Sequence, residues 1–254
     1  MSLSLSIIVA CIGIFIGEFY GNFVGGGSIV TQFFLQNILS FDVKSAIALD
    51  NAAVLGSELG LFLMLLRTQQ IERFHFVYIL ACLLGSYIGA EILLIIPRET
   101  LEVIFTLVVV IVLAKILFYN KEPKFNDSFE VTLRNVLLLS LFGLLIGIYN
   151  ALLSIGDFIF GLLGLIYLFH FRYHNALFLL SFSLVFGRAL AAFRYYQFGF
   201  INLDFLIPMF CSAALSGVIV GAIVHKVKTD KILVLLKCVG SVLAISLIYK
   251  LFVT

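Results

Sequence analysis

Long apolar runs recur along the whole sequence, and they constrain its fold more than any other feature. Each run extends over roughly 18 to 25 residues, which is enough for a helix to cross a hydrocarbon layer about 30 Å thick. In agreement, 63% of the 254 residues are apolar and only 12% are charged. The alternating segments of about ten residues that mark membrane barrels do not occur. The chain is therefore predicted to be an all-α integral membrane protein.

Composition also excludes several classes of function. The longest polar stretch, KEPKFNDSFE at residues 121–130, has the length of a linker, so we expect no soluble domain. A net charge of +2 leaves no broad basic surface for nucleic acid. The four cysteines lie singly within apolar runs, which predicts packing residues and neither a metal site nor a disulfide. We expect no cofactor. A signal peptide would need a basic start and a cleavage site, so we expect an uncleaved first span.

The sequence is internally duplicated. A shift that places GIFIGEFYGNFVGG over GLLIGIYNALLSIG aligns three pairs of glycines: Gly13 with Gly143, Gly17 with Gly147 and Gly26 with Gly156. A nearly equal shift places GSYIGA (85–90) over GVIVGA (217–222). Self-similarity at a nearly constant shift indicates structural repeats. We predict a first repeat at residues 1–120, a polar linker at 121–130 and a second repeat at 131–254.

Each repeat is predicted to contain about five segments, of which the second is short and follows a glycine-containing break. The breaks are VGGGS (24–28) and IGD (155–157). The segments of the first repeat are Leu3–Val24, Ser28–Leu39, Lys44–Leu66, Phe74–Ile96 and Leu101–Tyr119. Those of the second repeat are Val131–Ile155, Phe158–Phe169, Asn175–Tyr196, Leu203–Val224 and Lys231–Phe252.

The positions of lysine and arginine predict how the repeats are oriented. If the short segments cross the membrane, one side holds Arg67, Arg73, Lys115, Lys121, Lys124, Arg134, Arg172, Lys226, Lys228, Lys231 and Lys237, and the other holds Lys44, Arg98, Arg194 and Lys250. If they re-enter without crossing, the basic residues divide almost evenly. The positive-inside rule therefore favours two inverted-topology repeats in a plasma (inner) membrane. The basic side is then cytoplasmic, and both termini are extracytoplasmic.

The two breaks predict a binding site for an anion. Inverted repeats with interrupted helices are typical of secondary transporters, in which half-helix ends leave backbone groups available for a ligand. The N–H groups and the positive dipole end at the start of a helix favour an anion. We therefore expect a substrate site lined by Gly25, Gly26, Gly27, Ser28 and Gly156. Glycine runs also serve helix packing alone, and that interpretation stays open at this point.

Several motifs resemble one family of membrane proteins. GxxxGxxVGGGS, AxxxDN and GSYIGAEILLIIPRETLEVIF in the first half, with GLLIG, AxxxxS and GVIVGA in the second, are similar to the sulfite exporter TauE/SafE family over nearly the whole chain. The resemblance implies a transporter, usually an exporter, of anions such as sulfite, sulfoacetate and thiosulfate. It also implies hydrogen-bonding roles for Asn51 and Ser181, which match the second residue of the family's Thr-Asn or Thr-Ser pairs. Asp50 and Leu180 replace the threonines.

Ionisable residues inside the spans are further functional candidates, because charge within a membrane is costly. Arg188 lies near the middle of its span, and its planar guanidinium suits an oxyanion. A structural salt bridge to Glu58, at nearly the equivalent place in the first repeat, is the alternative. Asp157 is a candidate for a proton or cation site, with a helix cap as its alternative. Glu18 and Glu58 are further coupling candidates, with the coupling ion left open between H⁺ and Na⁺.

Together these features predict a secondary transporter that moves a small sulfur-containing anion by alternating access. An anion channel and a transporter of a different small organic anion remain alternatives. An enzyme is not expected. Ser154 stands where the GxGD element of intramembrane aspartyl proteases has glycine, and a rhomboid-like GxSG serine does not occur. The direction of transport and the oligomeric state stay open.

The predicted sidedness is tested with two single-cysteine variants of an otherwise cysteine-free chain. Gln70→Cys lies in a loop assigned to the cytoplasm, and Gln197→Cys lies in a loop assigned to the outside. We expect a membrane-impermeant maleimide to label Gln197→Cys on intact spheroplasts but Gln70→Cys only after lysis, since basic loops are retained inside. Labelling of both cysteines from the same side would rule out this topology.

Overall fold

The computed structural model describes residues 2–97 and 129–226, together with Thr100 and Val103. All regular secondary structure in these residues is helical. The helices are α1 (Leu3–Val24), α2 (Gly27–Phe33), α3 (Val43–Leu65), α4 (Arg73–Ile95), α5 (Leu133–Leu153), α6 (Asp157–Tyr167), α7 (Tyr173–Gln197) and α8 (Leu203–Ile223). Helix α2 continues as a π-helical turn, Phe34–Ile38, and α8 continues as a 3-10 turn, Val224–Lys226.

Six of the described helices are long and apolar enough to cross a membrane, and they are α1, α3, α4, α5, α7 and α8. Helices α2 and α6 are shorter. The prediction of an all-helical membrane protein is confirmed for the described residues. With the π-helical turn counted as part of α2, their helix boundaries differ from the predicted ones by two residues or fewer. The predicted spans Leu101–Tyr119 and Lys231–Phe252, and most of the linker at 121–130, lie outside the described residues.

Two clusters of apolar side chains pack the ends of the helices together, one cluster at each end of the bundle. One cluster joins the start of α1 to the α2–α3 and α7–α8 connections, through Ile7, Leu39, Phe41, Phe200 and Ile201. The other joins the end of α3 to the segments that precede α5 and follow α6, through Leu65, Phe74, Phe129, Phe169 and Phe171. Each short helix therefore returns the chain to the end of the bundle at which the preceding long helix began.

Two tyrosines fix the positions of α1 and α5 along α7. The hydroxyl of Tyr173, at the start of α7, donates to the backbone carbonyl of Phe23 near the end of α1, at 3.1 Å. The hydroxyl of Tyr195, near the end of α7, donates to the backbone carbonyl of Ala151 near the end of α5. The carboxyl ends of α1 and α5 therefore lie at opposite ends of α7.

Glycines bring the long helices into backbone contact. A Cβ atom on Gly147 of α5 would lie 2.0 Å from the carbonyl oxygen of Cys82 in α4. A Cβ atom on Gly217 of α8 would lie 2.1 Å from the carbonyl oxygen of Ser57 in α3. Close approach of this kind is a main source of helix association in membranes, where lipid tails remove the hydrophobic drive between helices. Helix α4 packs mainly on α5 and α7, and α8 packs mainly on α3 and α1.

Gly147→Ala tests the contact between α4 and α5. The added methyl group has to push the α4 backbone away, so we expect the unfolding free energy to fall by about 1–3 kcal/mol. The readout is the folded fraction left after heating in detergent, measured by size-exclusion chromatography. Ala189→Val, which enlarges an exposed side chain of α7, is the control and should unfold at the same temperature as the wild type. If Gly147→Ala unfolds at the same temperature as this control, the two helices have room to separate.

Candidate functional site

The structure interrupts its helices at both predicted breaks, and the two short helices begin with the same backbone conformation. Gly26 is the N-cap of α2 with φ 81° and ψ 10°, and Gly156 is the N-cap of α6 with φ 78° and ψ 0°. This left-handed conformation favours glycine, because a Cβ atom would add strain. Gly26 and Gly156 are also one of the glycine pairs that the shift between the repeats aligns. The sequence match therefore corresponds to a shared local geometry.

The two breaks meet inside the bundle. Gly25, with φ 80°, packs against the first turn of α6, where a Cβ atom would lie 2.8 Å from the backbone nitrogen of Ile159. At the second break the hydroxyl of Tyr149 donates to the carbonyl of Ile155 at 2.7 Å. Between the breaks lies a cavity with about 10 Å³ of space for the centres of water molecules, which is room for about one water.

Polar residues from both halves of the described chain line this cavity. The lining includes Glu18, Asn22, Gly26, Gly27, Ser28, Glu58, Gly156, Asp157 and Arg188. Its charged side chains are buried, and none is more than 4% exposed. Of the eleven predicted site residues, the structure thus brings eight to one place, although they lie far apart in the sequence.

Three of the predicted site residues lie outside the lining. Gly25 packs against Ile159, as described above. The Nδ2 atom of Asn51 donates to the Oδ1 atom of Asn150 at 2.7 Å. Asn150 in turn donates to Asp157, so Asn51 contacts the site through Asn150. The hydroxyl of Ser181 donates to the carbonyl of Phe178 in its own helix at 3.2 Å. The family resemblance selected Asn51 and Ser181, and their roles toward a substrate stay predictions.

Arg188 forms a buried ion pair at the second break. Its Nη2 atom donates to Oδ2 of Asp157 at 2.6 Å, and Asn150 donates to the same oxygen at 2.9 Å. The salt bridge considered between Arg188 and Glu58 is replaced by this pair, because α6 starts at the cavity and presents Asp157 to α7. Asp157 is also not the N-cap of α6, since Gly156 occupies that position and Asp157 is the first helical residue.

A second branch of hydrogen bonds leads from Arg188 to Asp50. The Nη1 atom of Arg188 donates to the hydroxyl of Ser154 at 3.3 Å, and this hydroxyl donates to Oδ2 of Asp50 at 2.8 Å. Gln32 of α2 also donates to this oxygen, at 3.4 Å. The sequence did not assign Ser154, Gln32 or Asn150 to the site. Their position was the available signal, because each lies within about one and a half helical turns of a break.

The site contains more buried acids than buried bases. Glu18, Asp50, Glu58 and Asp157 are buried, whereas Arg188 is the one buried lysine or arginine among the described residues. Two polar atoms at the cavity, Nε of Arg188 and Oε2 of Glu58, have no hydrogen-bond partner. Buried polar groups normally have partners, so the site has unused capacity to donate and to accept hydrogen bonds.

A larger cavity, of about 260 Å³, lies elsewhere, between the α3–α4 connection and the segment that follows α6. Phenylalanines and uncharged polar groups form most of its wall, together with Glu72, His75 and His170. It contains neither of the helix breaks and no buried ion pair. The cavity between the breaks is therefore the stronger candidate for the functional site.

The comparison with known families identifies the type of protein. The family model described as sulfite exporter TauE/SafE matches residues 9–248, which is nearly the whole chain. The chain belongs to the sulfite exporter TauE/SafE family. No curated protein and no solved structure matches it. In this TauE/SafE protein both breaks, and every residue that lines the cavity between them, lie within the matched part.

The position of Asn150 in this TauE/SafE protein gives a stability prediction. Asn150→Ala removes the side-chain donor to Asp157 and the acceptor of Asn51 in a buried network, so we expect the unfolding free energy to fall by about 1–3 kcal/mol. Asn135→Ala, which removes an exposed bond to the carbonyl of Glu130 near the start of the same helix, is the control. It should cost less than about 0.5 kcal/mol. Thermal unfolding in detergent gives both values, and equal losses would contradict the network.

Proposed function

We propose that this protein is a secondary transporter that moves a small sulfur-containing anion, such as sulfite, thiosulfate or sulfoacetate, by alternating access. Family membership supports the class, a membrane transporter of sulfite-type anions. The observation that carries the proposal for this chain is the buried guanidinium of Arg188 at the cavity between two helix breaks. A guanidinium binds oxyanions through parallel N–H donors, and sulfonate and sulfite oxygens match that geometry.

The start of α6 supports the same anion site. Helix α6 begins at the cavity, and the N–H groups of its first three residues have no carbonyl partner within the helix. Such groups and the helix dipole favour a negative charge. The hydroxyl of Ser28 adds a donor from the opposite break. We propose that Arg188, the first turn of α6 and Ser28 together hold the anion, with Asn51 and Asn150 fixing Asp157 behind it.

The ion pair between Arg188 and Asp157 acts as a gate in this proposal. The cavity has room for about one water, so an anion of the size of sulfite requires the site to widen. Asp157 occupies Nη2 of Arg188, the atom that an incoming oxyanion needs. Anion binding therefore replaces Asp157 as a partner of Arg188. This exchange links occupancy of the site to movement of α6, which Asp157 begins.

Two inverted repeats, at residues 1–120 and 131–254, supply the moving parts. A pair of matched contacts supports this division: Ser57 of α3 meets Gly217 of α8, and Gly187 of α7 meets Ser86 of α4. Nearly the same shift relates Ser57 to Gly187 and Ser86 to Gly217. The opposite placement of α1 and α5 along α7 supports the inversion. Repeats of this kind can exchange conformations and so open one central site to either side of the membrane.

We propose a plasma (inner) membrane location with the α3–α4 connection on the cytoplasmic side. Arg67 and Arg73 flank that connection, and Arg172 follows α6 at the same end of the bundle. Lys44 and Arg194 lie toward the other end. The excess of basic residues supports this orientation.

A ligand screen tests the anion class. Purified protein is heated with sulfite, thiosulfate, sulfoacetate, sulfate or chloride, and a ligand at about 100 times its Kd should stabilise the folded state by about 2.7 kcal/mol. We expect one or more of the sulfur-containing anions to raise Tm and chloride to leave it unchanged. A sulfur anion that stabilises the protein should also show saturable exchange in proteoliposomes, whereas flux that does not saturate would favour a channel.

The role of Arg188 is tested in the same screen. Arg188→Ala should abolish transport, but on its own it leaves Asp157 buried without a partner, which is destabilising. The double variant Arg188→Gln/Asp157→Asn keeps the site neutral and polar, and we expect it to fold and to lose the Tm shift. Arg134→Gln, at an exposed arginine, is the control and should keep the shift. Wild-type affinity in the double variant would leave the ion pair with a structural role alone.

A further inference from the structure

The charges around the cavity do not balance. Four buried carboxylates, those of Glu18, Asp50, Glu58 and Asp157, accompany one buried guanidinium, that of Arg188, among the described residues. A buried charge is stable in a membrane protein when it is paired and hydrogen-bonded, and it is costly otherwise. An anion that enters the cavity adds a further negative charge. The site therefore requires positive charge from outside the protein when it is occupied.

Three of the four carboxylates already have polar partners. Asp157 pairs with Arg188 at 2.6 Å and accepts a hydrogen bond from Asn150. Asp50 accepts hydrogen bonds from Ser154 and Gln32 and does not line the cavity. Glu18 lines the cavity, and the hydroxyl of Ser57 lies beside it.

Glu58 differs from the other three acids. It lines the cavity, it is 1% exposed, and its Oε2 atom has no hydrogen-bond partner. The charged groups that line the same cavity are Arg188 on α7, Glu18 on α1 and Asp157 on α6. Helix α8, on the other side of α3, carries only Asp204, at its exposed start. Arg188 is already paired with Asp157, and Glu58 is the carboxyl group at the cavity with an oxygen, Oε2, that no donor reaches.

We propose that one proton travels with each anion and that the carboxyl group of Glu58 carries it. This inference rests on the anion transport proposed above and names its coupling ion and carrier. A proton on Glu58 removes the negative charge that would oppose the anion, so the two bind together. They then move in the same direction and leave together. The gradients of the anion and of protons decide which direction that is.

The geometry favours a proton over a sodium ion. Among the described residues no three histidine, cysteine, aspartate or glutamate side chains lie close enough to hold one metal ion. Hard cations need several oxygen ligands at short distance. A proton needs no coordination sphere and binds to a single carboxyl oxygen.

The test uses proteoliposomes with radiolabelled thiosulfate and with sulfoacetate, with the membrane potential held at zero by potassium and valinomycin. One proton per anion and a pH gradient of one unit, acid outside, give about tenfold accumulation of the anion at equilibrium. We expect about this ratio for the wild type and no accumulation from a sodium gradient alone. Glu58→Gln, which keeps a neutral group at this position, should lose the accumulation. Glu130→Gln, at an exposed acid, should accumulate like the wild type.

A second measurement uses the wild type alone and does not depend on the folding of a variant. Addition of thiosulfate or sulfoacetate to purified protein in weak buffer, repeated at a series of rising pH values, should withdraw up to one proton per bound anion from solution, as seen with a pH indicator. Anion binding without proton uptake at any pH in the series, accumulation driven by sodium, or retained coupling in Glu58→Gln would each overturn the inference and leave anion transport standing. Loss of coupling in Glu18→Gln but not in Glu58→Gln would show that Glu58 is not the proton carrier. A wild type that neither binds nor moves these anions would overturn the proposed function itself.

Discussion

The ion pair between Arg188 and Asp157 is the interaction on which the organisation of the site depends. A guanidinium and a carboxylate within a membrane protein are stable only where they meet each other and further donors. That requirement fixes three things together: the start of α6 at the cavity, the approach of α7 to the second break, and the bond from Asn150 that orients the carboxylate. The break in the helix is therefore part of how the charge is accommodated.

Glycine performs two separate tasks in this fold, and neighbouring residues divide them. Gly26 and Gly156 take a left-handed conformation and end the helical path, whereas Gly27 has a helical backbone and lets α2 approach α1. A Cβ atom on Gly27 would lie 2.4 Å from the carbonyl oxygen of Gly17. The glycine run thus both breaks the helix and packs α2 against α1, at adjacent positions. A membrane helix can be interrupted here because the loosened backbone lies against protein and a cavity and not against lipid.

A site rich in acidic side chains can hold a negatively charged substrate when its carboxyl groups are protonated. In the proposed transport, Arg188, Ser28 and the start of α6 donate hydrogen bonds to the anion, and the charge of the surrounding carboxyl groups controls its binding. Arg188 lies between Asp157 on one side and the space for a substrate on the other. Occupancy, protonation and the position of α6 are then linked through one side chain, which is the kind of coupling that alternating access requires.

The sequence by itself determined the class, the spans and the breaks. Without water in the bilayer each spanning segment must satisfy its own backbone, so apolar length defines the helices, and glycine defines where they stop. It also named most of the residues around the cavity, because a charge inside a membrane is rare. It could not decide their partners: the shift between the repeats aligned Arg188 with Glu58, yet Arg188 pairs with Asp157. It passed over Ser154 and Asn150, which the structure places in the hydrogen-bond network around Asp50 and Asp157. Which side chains meet depends on how α6 and α7 are rotated and packed against each other, and tertiary structure alone sets that.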